Sequence, residues 1–158
     1  MLDFSATYTD QYQLAMSQVY FKKGQKDHTA IFDYYFRKLP YNGGYAIFAG
    51  LQDLLKIIEN LKFNDKDLEY LKKQDFDDDF LQYLKDFKFH GNIYSVQEGD
   101  VVFPTRPILQ VEANIIEAQI IETILLNLLN FQTLIATKAS RIKLVSGERT
   151  LLDFGLRR

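Results

Sequence analysis

The chain has 158 residues, of which 47% are apolar and 15% aromatic, and its formal net charge is −2. A domain of this length can bury about two thirds of its unfolded surface, so the composition predicts a folded core rather than disorder. The small net charge excludes a general attraction to nucleic acid or to an anionic membrane. The lack of cysteine excludes disulfides, thiolate metal sites and a cysteine nucleophile, and is compatible with a reducing compartment.

The first 50 residues predict one helix and two strands. Thr9 or Asp10 can cap a helix that runs to about Phe21, because either side chain offers an oxygen to the first turn. Helical spacing predicts one packed apolar face on it, made of Tyr12, Ala15, Met16, Val19 and Tyr20. Alternating aromatics then predict a strand over His28–Leu39, and Tyr45–Ala49 can form a second strand after a glycine turn.

Three short helices are predicted next, at Leu51–Leu61, Asp65–Lys73 and Phe80–Phe87. Asn64 can cap the second helix, and the acidic residues before the third suit the positive end of its dipole. This acidic run, Asp75–Asp79, lacks the alternating ligand positions of a calcium loop. A solvated helix start is therefore favoured over a metal site.

After His90-Gly91 the sequence pattern changes from helical to strand-like. Short strands are predicted at Ile93–Val96, Val101–Phe103 and Ile108–Val111, and the residues Glu98-Gly99-Asp100 predict a hairpin turn between the first two.

A long helix is predicted over Ile115–Val145, where neither proline nor glycine occurs. It would be roughly 46 Å long at about 1.5 Å per residue, which exceeds the width of a domain this size. A break or bend is therefore expected near Asn127 or Asn130. Apolar residues on nearly every face from Ile120 to Ala136 predict that other elements enclose the helix. Its charge-free part, 123–137, is shorter than a membrane span needs, which favours a buried core helix.

The helix is predicted to stop at Ser146-Gly147 and to be followed by a strand at Thr150–Phe154. Together the elements predict an α+β fold with a mostly antiparallel sheet. We expect residues 1–148 to form one domain around the long helix. We also expect residues 149–158 to open a further domain of a longer protein, because the chain ends directly after a strand-like segment.

Residue types alone indicate two candidate binding constellations. In the first, Asp10 can accept hydrogen bonds and Tyr12 can offer a flat face to an aromatic ring, although these residues taken alone favour a helix cap followed by a packed aromatic. In the second, Phe154 can stack on a ring, Gly155 permits close approach of the backbone, and a tail arginine can bind carboxylate or phosphate. A strand end with a solvated basic tail is the alternative for that segment.

Familiar catalytic motifs are missing from the sequence. It contains no glycine-rich phosphate loop, no His-Glu-x-x-His and no Gly-x-Ser-x-Gly. His28 and His90 fall at a strand start and at a turn, with no charged partner evident beside either in the sequence, so both are predicted to be structural or exposed.

A set of motifs spread over nearly the whole chain resembles nicotinate phosphoribosyltransferase, in the order and spacing of that family. These motifs are Thr9-Asp10-x-Tyr12-x-x-x-Met16, Phe89-x-Gly91-x-Ile93-Tyr94-x-Val96-x-Glu98-Gly99, Val102-Phe103-Pro104, Glu117-Ala118-Gln119-x-x-Glu122-Thr123-x-Leu125-Leu126-Asn127, Asn130-Phe131-x-Thr133-Leu134-x-Ala136-Thr137-Lys138-Ala139 and Asp153-Phe154-Gly155-Leu156-Arg157-Arg158. The chain departs from the family pattern at Arg106 and Asn114, which affects packing rather than chemistry.

The resemblance implies a fold and an activity. The fold is the α/β sandwich-like N-terminal domain of a type II phosphoribosyltransferase, ending at the first strand of an irregular α/β barrel that this sequence lacks. The family forms nicotinate mononucleotide from nicotinate and phosphoribosyl pyrophosphate in NAD salvage, with ATP hydrolysis coupled to the reaction and Mg²⁺ on the phosphates. The expected protein is a cytoplasmic homodimer that binds neither nucleic acid nor membrane.

The resemblance also implies roles for individual residues. Tyr12 would cross a dimer interface and stack on the pyridine ring in the neighbouring subunit's site, with Asp10 ordering its surroundings. Phe154 would contact the other face of the ring, next to Gly155. Arg157 would lie beside nicotinate or the ribose phosphate, with Arg158 a weaker candidate for the same role. No catalytic residue and no metal ligand is assigned within the 158 residues.

Two hypotheses of different classes follow. In the first, the chain is the leading part of a larger enzyme, binds no cofactor itself and is inactive alone; an apolar patch near Leu151–Leu156 and the long helix would then be exposed. In the second, the chain is a self-contained, non-enzymatic module that binds a partner through aromatic surfaces and leaves no such patch.

Overall fold

The computed structural model describes residues 4–154 and confirms an α+β architecture. Its helices are α1 (Gln11–Lys22), α2 (Leu51–Asn60), α3 (Asp65–Lys72), α4 (Asp78–Lys85) and α5 (Ile115–Ser146), with a 3₁₀ turn at Pro40–Asn42. Its strands are β1 (Thr29–Tyr34), β2 (Ala46–Ile47), β3 (Asn92–Ser95), β4 (Val101–Val102) and β5 (Leu109–Asn114).

The strands form two small antiparallel sheets. One has the order β1-β5-β3, with Phe32 opposite Val111 and Ile93 opposite the same residue on the other side; the other sheet pairs β2 with β4. The central strand β5 alternates, so that Leu109, Val111 and Ala113 are buried, as expected of a strand with one face on the core. The predicted hairpin between β3 and β4 is wrong, because the turn at Glu98–Asp100 joins strands of different sheets.

Helix α5 is the largest element and continues from Ile115 to Ser146, so a break near Asn127 or Asn130 is not formed. Its start is fixed by Asn114, whose side chain accepts a hydrogen bond from the Glu117 N–H at 2.9 Å. Asn130 stays within the helix, and its side-chain oxygen accepts a bond from the Tyr34 hydroxyl at 2.9 Å.

The enclosure predicted for α5 holds only for its first half. Residues from Ile116 to Leu129 are largely buried against α1, the sheets and α2. Beyond them the apolar residues Phe131, Leu134, Ile135, Ile142, Leu144 and Val145 are exposed. By length and composition α5 could also cross a membrane, a criterion that core helices of soluble proteins meet too.

Helix α1 is turned the opposite way from the prediction. Its buried residues are Gln13, Leu14 and Ser17, whereas the predicted packed face is mostly exposed: Tyr12, Ala15, Met16 and Val19. The physical reason is that α1 lies on a stretch of α5 that carries polar side chains, so a polar pair is buried between the two helices.

The three short helices lie where the sequence predicts them, although α4 begins at Asp78 rather than at Phe80. Asn64 caps α3 in a reciprocal capping box with Asp67, and Asp77 stands at the N-cap of α4 with acidic residues in the first turn. Lys22 and Lys72 pair with Asp77 and Asp78, respectively. Within residues 4–154 no group of three or more histidine, aspartate or glutamate side chains is placed to hold a metal ion.

The start of α2 is capped from far along the chain. The Glu98 carboxylate accepts hydrogen bonds from the N–H groups of Gly50 and Leu51, at 2.5 and 2.8 Å. A negative side chain at this end of a helix satisfies free N–H groups and complements the dipole.

After α5 the chain has no regular secondary structure as far as Phe154, so the predicted strand at Thr150–Phe154 is not formed within the described part. Leu151, Leu152 and Phe154 are exposed there. Together with the second half of α5 they form the apolar surface expected of a chain that belongs to a larger protein.

Gly91 offers a test of the packing beneath β5. A Cβ atom at this position would lie 2.4 Å from the Ala113 Cβ and 2.7 Å from the Glu112 carbonyl oxygen. We expect Gly91→Ala to lower the free energy of unfolding by about 1–3 kcal/mol, because neither neighbour can move freely. Chemical denaturation of both variants measures this against Gly44→Ala, where a Cβ meets nothing within 4 Å. Equal stability of the two variants would contradict the packing described.

Candidate functional site

The first candidate residue, Asp10, is held at the start of α1 by a threonine of α5. The Thr123 hydroxyl donates to the Asp10 carboxylate at 3.0 Å and accepts from the Asp10 N–H at 3.2 Å. Asp10 occupies the predicted N-cap position, but its side chain makes no capping hydrogen bond. The carboxylate thus ties α1 to α5 instead of closing its own helix.

Tyr12 follows within the first turn of α1, with 53% of its surface exposed. Its hydroxyl accepts a hydrogen bond from the Gln13 Nε2 at 2.8 Å. Desolvation, followed by the negative charges of Glu122 and Asp10, raises the pKa of Tyr12 above its ordinary value of 10. The side chain is therefore a neutral phenol at physiological pH, with an accessible ring.

Four neighbours of Tyr12 had no role predicted from the sequence: Gln13, Gln119, Glu122 and Thr123. The last three lie on one face of α5, at the spacing i, i+3 and i+4. A polar stripe on an otherwise apolar helix was the available signal. It could not be interpreted without knowing that α1 packs on that stripe.

A cleft of about 460 Å³ opens between α5 and the end of β1. On the β1 side the cleft is lined by four aromatic residues, Phe32, Tyr34, Tyr35 and Phe36. The charged residues Asp33 and Arg37 lie on the same side, and Glu122 lines the cleft from α5. Because Glu122 lines the cleft and also accepts a hydrogen bond from Gln119, the cleft adjoins the Tyr12 cluster. Burial strongly raises the pKa of Tyr34, which stays protonated and donates to Asn130.

Phe154, the third candidate, is not joined to this cluster by any ring contact among residues 4–154. It follows the end of α5 with 87% of its surface exposed. Gly155, Arg157 and Arg158 lie outside the described residues. The structure therefore brings Asp10 and Tyr12 together and leaves the roles of the C-terminal candidates as predictions.

His90 has a charged partner that the sequence did not reveal. Its N–H donates to the Glu117 carboxylate at 2.7 Å, and its Nδ1 lies 3.3 Å from the other carboxylate oxygen. Glu117 is buried and also accepts a bond from the Asn114 side chain at 2.6 Å. Since Glu117 belongs to the N-terminal cap of α5, the prediction of a structural or exposed His90 fits this arrangement.

The electrostatic coupling around Tyr12 can be tested by removing one charge at a time. Glu122→Gln and Asp10→Asn should each lower the pKa of Tyr12, because a nearby negative charge opposes formation of the phenolate. The larger decrease is expected for Glu122→Gln. Titration of the Tyr12 ¹³Cζ resonance by NMR measures both, with Glu69→Gln on α3 as a control. An unchanged pKa in both variants would contradict the geometry.

Comparison with known proteins places the chain in a family. Residues 7–130 match the sequence model of the nicotinate phosphoribosyltransferase (NAPRTase) N-terminal domain. The nicotinate phosphoribosyltransferase of Bacillus subtilis is 48% identical over 157 residues, which is 99% of this chain and 32% of that protein. The enzyme of the same name from Caenorhabditis elegans is 43% identical, over 95% of this chain and 28% of that protein.

Comparison with solved structures points to the same family. The crystal structure of human nicotinic acid phosphoribosyltransferase superposes with a TM-score of 0.86 at 34% identity, covering 95% of this chain and 31% of that one. The nicotinate-nucleotide pyrophosphorylase of Pyrococcus furiosus shares the fold, with a TM-score of 0.73 at 24% identity. The chain spans about a third of the length of these relatives. It belongs to the nicotinate phosphoribosyltransferase family and matches the N-terminal domain of that family.

Proposed function

We propose that this chain serves as the N-terminal part of a nicotinate phosphoribosyltransferase, which transfers the phosphoribosyl group of phosphoribosyl pyrophosphate to nicotinate, releasing pyrophosphate and giving nicotinate mononucleotide for NAD synthesis. The observation that carries the proposal is Tyr12, an accessible neutral phenol held at the start of α1 within the matched region. The names of the relatives, and their identity over almost all of this chain, support the same activity.

The proposed role of the site is positioning rather than proton transfer. Glycosyl transfer from phosphoribosyl pyrophosphate develops positive charge at the ribose carbon, so the enzyme gains most by aligning the flat nucleophile and holding charges. The pyridine nitrogen needs no general base. We propose that the Tyr12 ring stacks on the pyridine, with Asp10 fixing the start of α1 through Thr123.

The C-terminal candidates complete the proposed pocket. Phe154 would cover the other face of the pyridine, and its exposure leaves it accessible for such a contact. Gly155 would let the backbone approach the ring. Arg157 would bind the carboxylate or a phosphate through its planar guanidinium, with Arg158 as the weaker candidate.

The proposed enzyme is a cytoplasmic homodimer in which Tyr12 enters the partner's site. In support, the exposed face of α1 is apolar, and a two-fold interface would cover it in both subunits at once. Its members are Tyr12, Ala15, Met16 and Val19. Mg²⁺ and ATP, which the family resemblance implies, would act with the remainder of the enzyme. The 158 residues alone are accordingly proposed to be inactive.

The decisive experiment grafts this chain onto a relative. Residues 1–158 replace the matching 157-residue stretch of the Bacillus subtilis enzyme, and formation of nicotinate mononucleotide is measured. Tyr12→Ala should lower kcat/KM by about 5- to 150-fold, since loss of one aromatic stacking contact costs about 1–3 kcal/mol. Tyr70→Ala on α3, whose tyrosine is 55% exposed, is the matched control. Equal kcat/KM in the two variants would overturn the proposed role of Tyr12.

A second experiment tests the proposed interface on the chain itself. Met16→Glu places a charge on the exposed apolar face of α1 and should shift the protein from dimer to monomer in sedimentation velocity, because a buried unpaired charge is costly. Leu55→Glu, at a residue of similar exposure on α2, should leave the dimer intact. A wild-type monomer, or a Met16→Glu variant that still dimerises fully, would contradict an α1 interface.

A further inference from the structure

Two buried glutamines lie directly behind Tyr12. Gln13 is completely buried on α1, and Gln119 is nearly so on α5. The Gln13 Nε2 donates to the Tyr12 hydroxyl at 2.8 Å, and the Gln119 Nε2 donates to the Gln13 Oε1. The Gln119 Nε2 also donates to a carboxylate oxygen of Glu122 at 3.3 Å. These contacts join Glu122, Gln119, Gln13 and Tyr12 in a single hydrogen-bonded series.

Packing alone does not explain these amides. A buried amide contributes only when its hydrogen bonds are made, and an apolar pair of the same volume would hold two helices together without that requirement. Here the buried part of the series contains only Gln13 and Gln119, and its two ends reach groups with access to solvent, Glu122 and Tyr12. The series therefore links a charge on α5 to the exposed phenol on α1.

The charge of Glu122 fixes the direction of every bond in the series. An ionised carboxylate only accepts, so Gln119 must turn its NH₂ group toward Glu122. The same NH₂ group faces Gln13, which must then present its carbonyl oxygen and turn its own NH₂ group toward Tyr12. The Tyr12 oxygen is consequently an acceptor. Its proton remains available for another group.

We propose that Gln13, Gln119 and Glu122 are positioning residues that hold the Tyr12 ring and direct its phenolic proton toward an oxygen acceptor of an anionic substrate. This inference rests on the proposed function, because it presumes that Tyr12 faces a bound ring. The expected ligand is a heteroaromatic acid or the phosphorylated substrate that reacts with it. The carboxylate or phosphate oxygens of either would accept a hydrogen bond from the neutral Tyr12 hydroxyl.

The first test examines the series in the chain itself, without substrate. Gln13→Met and Gln119→Met keep the side-chain volume but remove the amide. Both variants should raise the pKa of Tyr12, which is followed through its ¹³Cζ resonance. Gln13→Met removes the hydrogen-bond donor to the phenolate, and Gln119→Met leaves the Gln13 amide free to turn its oxygen toward it. Gln132→Met, which removes another α5 glutamine that donates to a carboxylate, should leave that pKa unchanged. An unaltered pKa in Gln119→Met would overturn the proposal, since no hydrogen bond joins Gln119 to Tyr12 directly.

The second test uses the active chimera and separates the two proposals. We expect kcat/KM to fall by a similar factor of about 5 to 10 in Tyr12→Phe, Gln13→Met and Gln119→Met, because each variant loses about one hydrogen bond. The decrease should come chiefly from a higher KM for nicotinate. Wild-type kinetics in Tyr12→Phe and both glutamine variants, together with a reduced kcat/KM in Tyr12→Ala, would refute the positioning role and leave stacking intact. Wild-type kinetics in Tyr12→Ala as well would refute the proposed function itself.

Glu122→Gln provides a variant in which both buried glutamines are retained and only the charge at the end of the series is removed. Its side chain lies at a half-buried position, so folding should be retained. A neutral amide can donate as well as accept, so the direction of the series is no longer fixed. We expect kcat/KM to fall toward the value of Tyr12→Phe. Kinetics equal to those of Gln132→Met would count against the proposal.

Discussion

The contact between α1 and the first half of α5 determines where the candidate residues Asp10 and Tyr12 lie. It is a mixed contact, with Leu14 and the α5 isoleucines supplying apolar packing and a polar stripe fixing the relative position of the helices. Hydrophobic packing is non-directional, so it cannot by itself set the rotation of α1 about its axis. The hydrogen bonds from Thr123 and Gln119 set that rotation, and they leave the aromatic residue outside.

This rotation explains why a helix with so many apolar residues presents them to solvent. In this rotation both buried amides have hydrogen-bond partners, while Tyr12, Met16 and Val19 remain exposed. A surface of this kind on a small domain is typical of a place where another protein surface belongs. The second half of α5 carries a comparable apolar surface at the opposite end of the same helix.

Much of the fold could be predicted from the sequence. The positions of α2, α3, α4 and α5 followed from periodicity and capping residues, and Asn64 was identified as a cap before its capping box was seen. The local sequence could not predict that β3 and β4 pair with different strands, because a turn motif does not show which sheet each flanking strand joins. About half of the candidate site could be predicted. Asp10 and Tyr12 belong to a recognisable motif, whereas the hydrogen bond between Gln13 and Gln119 joins two segments about 100 residues apart and is not evident from the sequence.

The cap on α2 has a consequence for how the protein is made. Synthesis proceeds from the N-terminus, so Gly50 at the N-cap of α2 is added 48 residues before Glu98, whose carboxylate caps the helix. Until then the amides of Gly50 and Leu51 have only water as acceptor, and the helix start frays. The N-terminal cap of α2 therefore forms only after the β3–β4 connection has been synthesised.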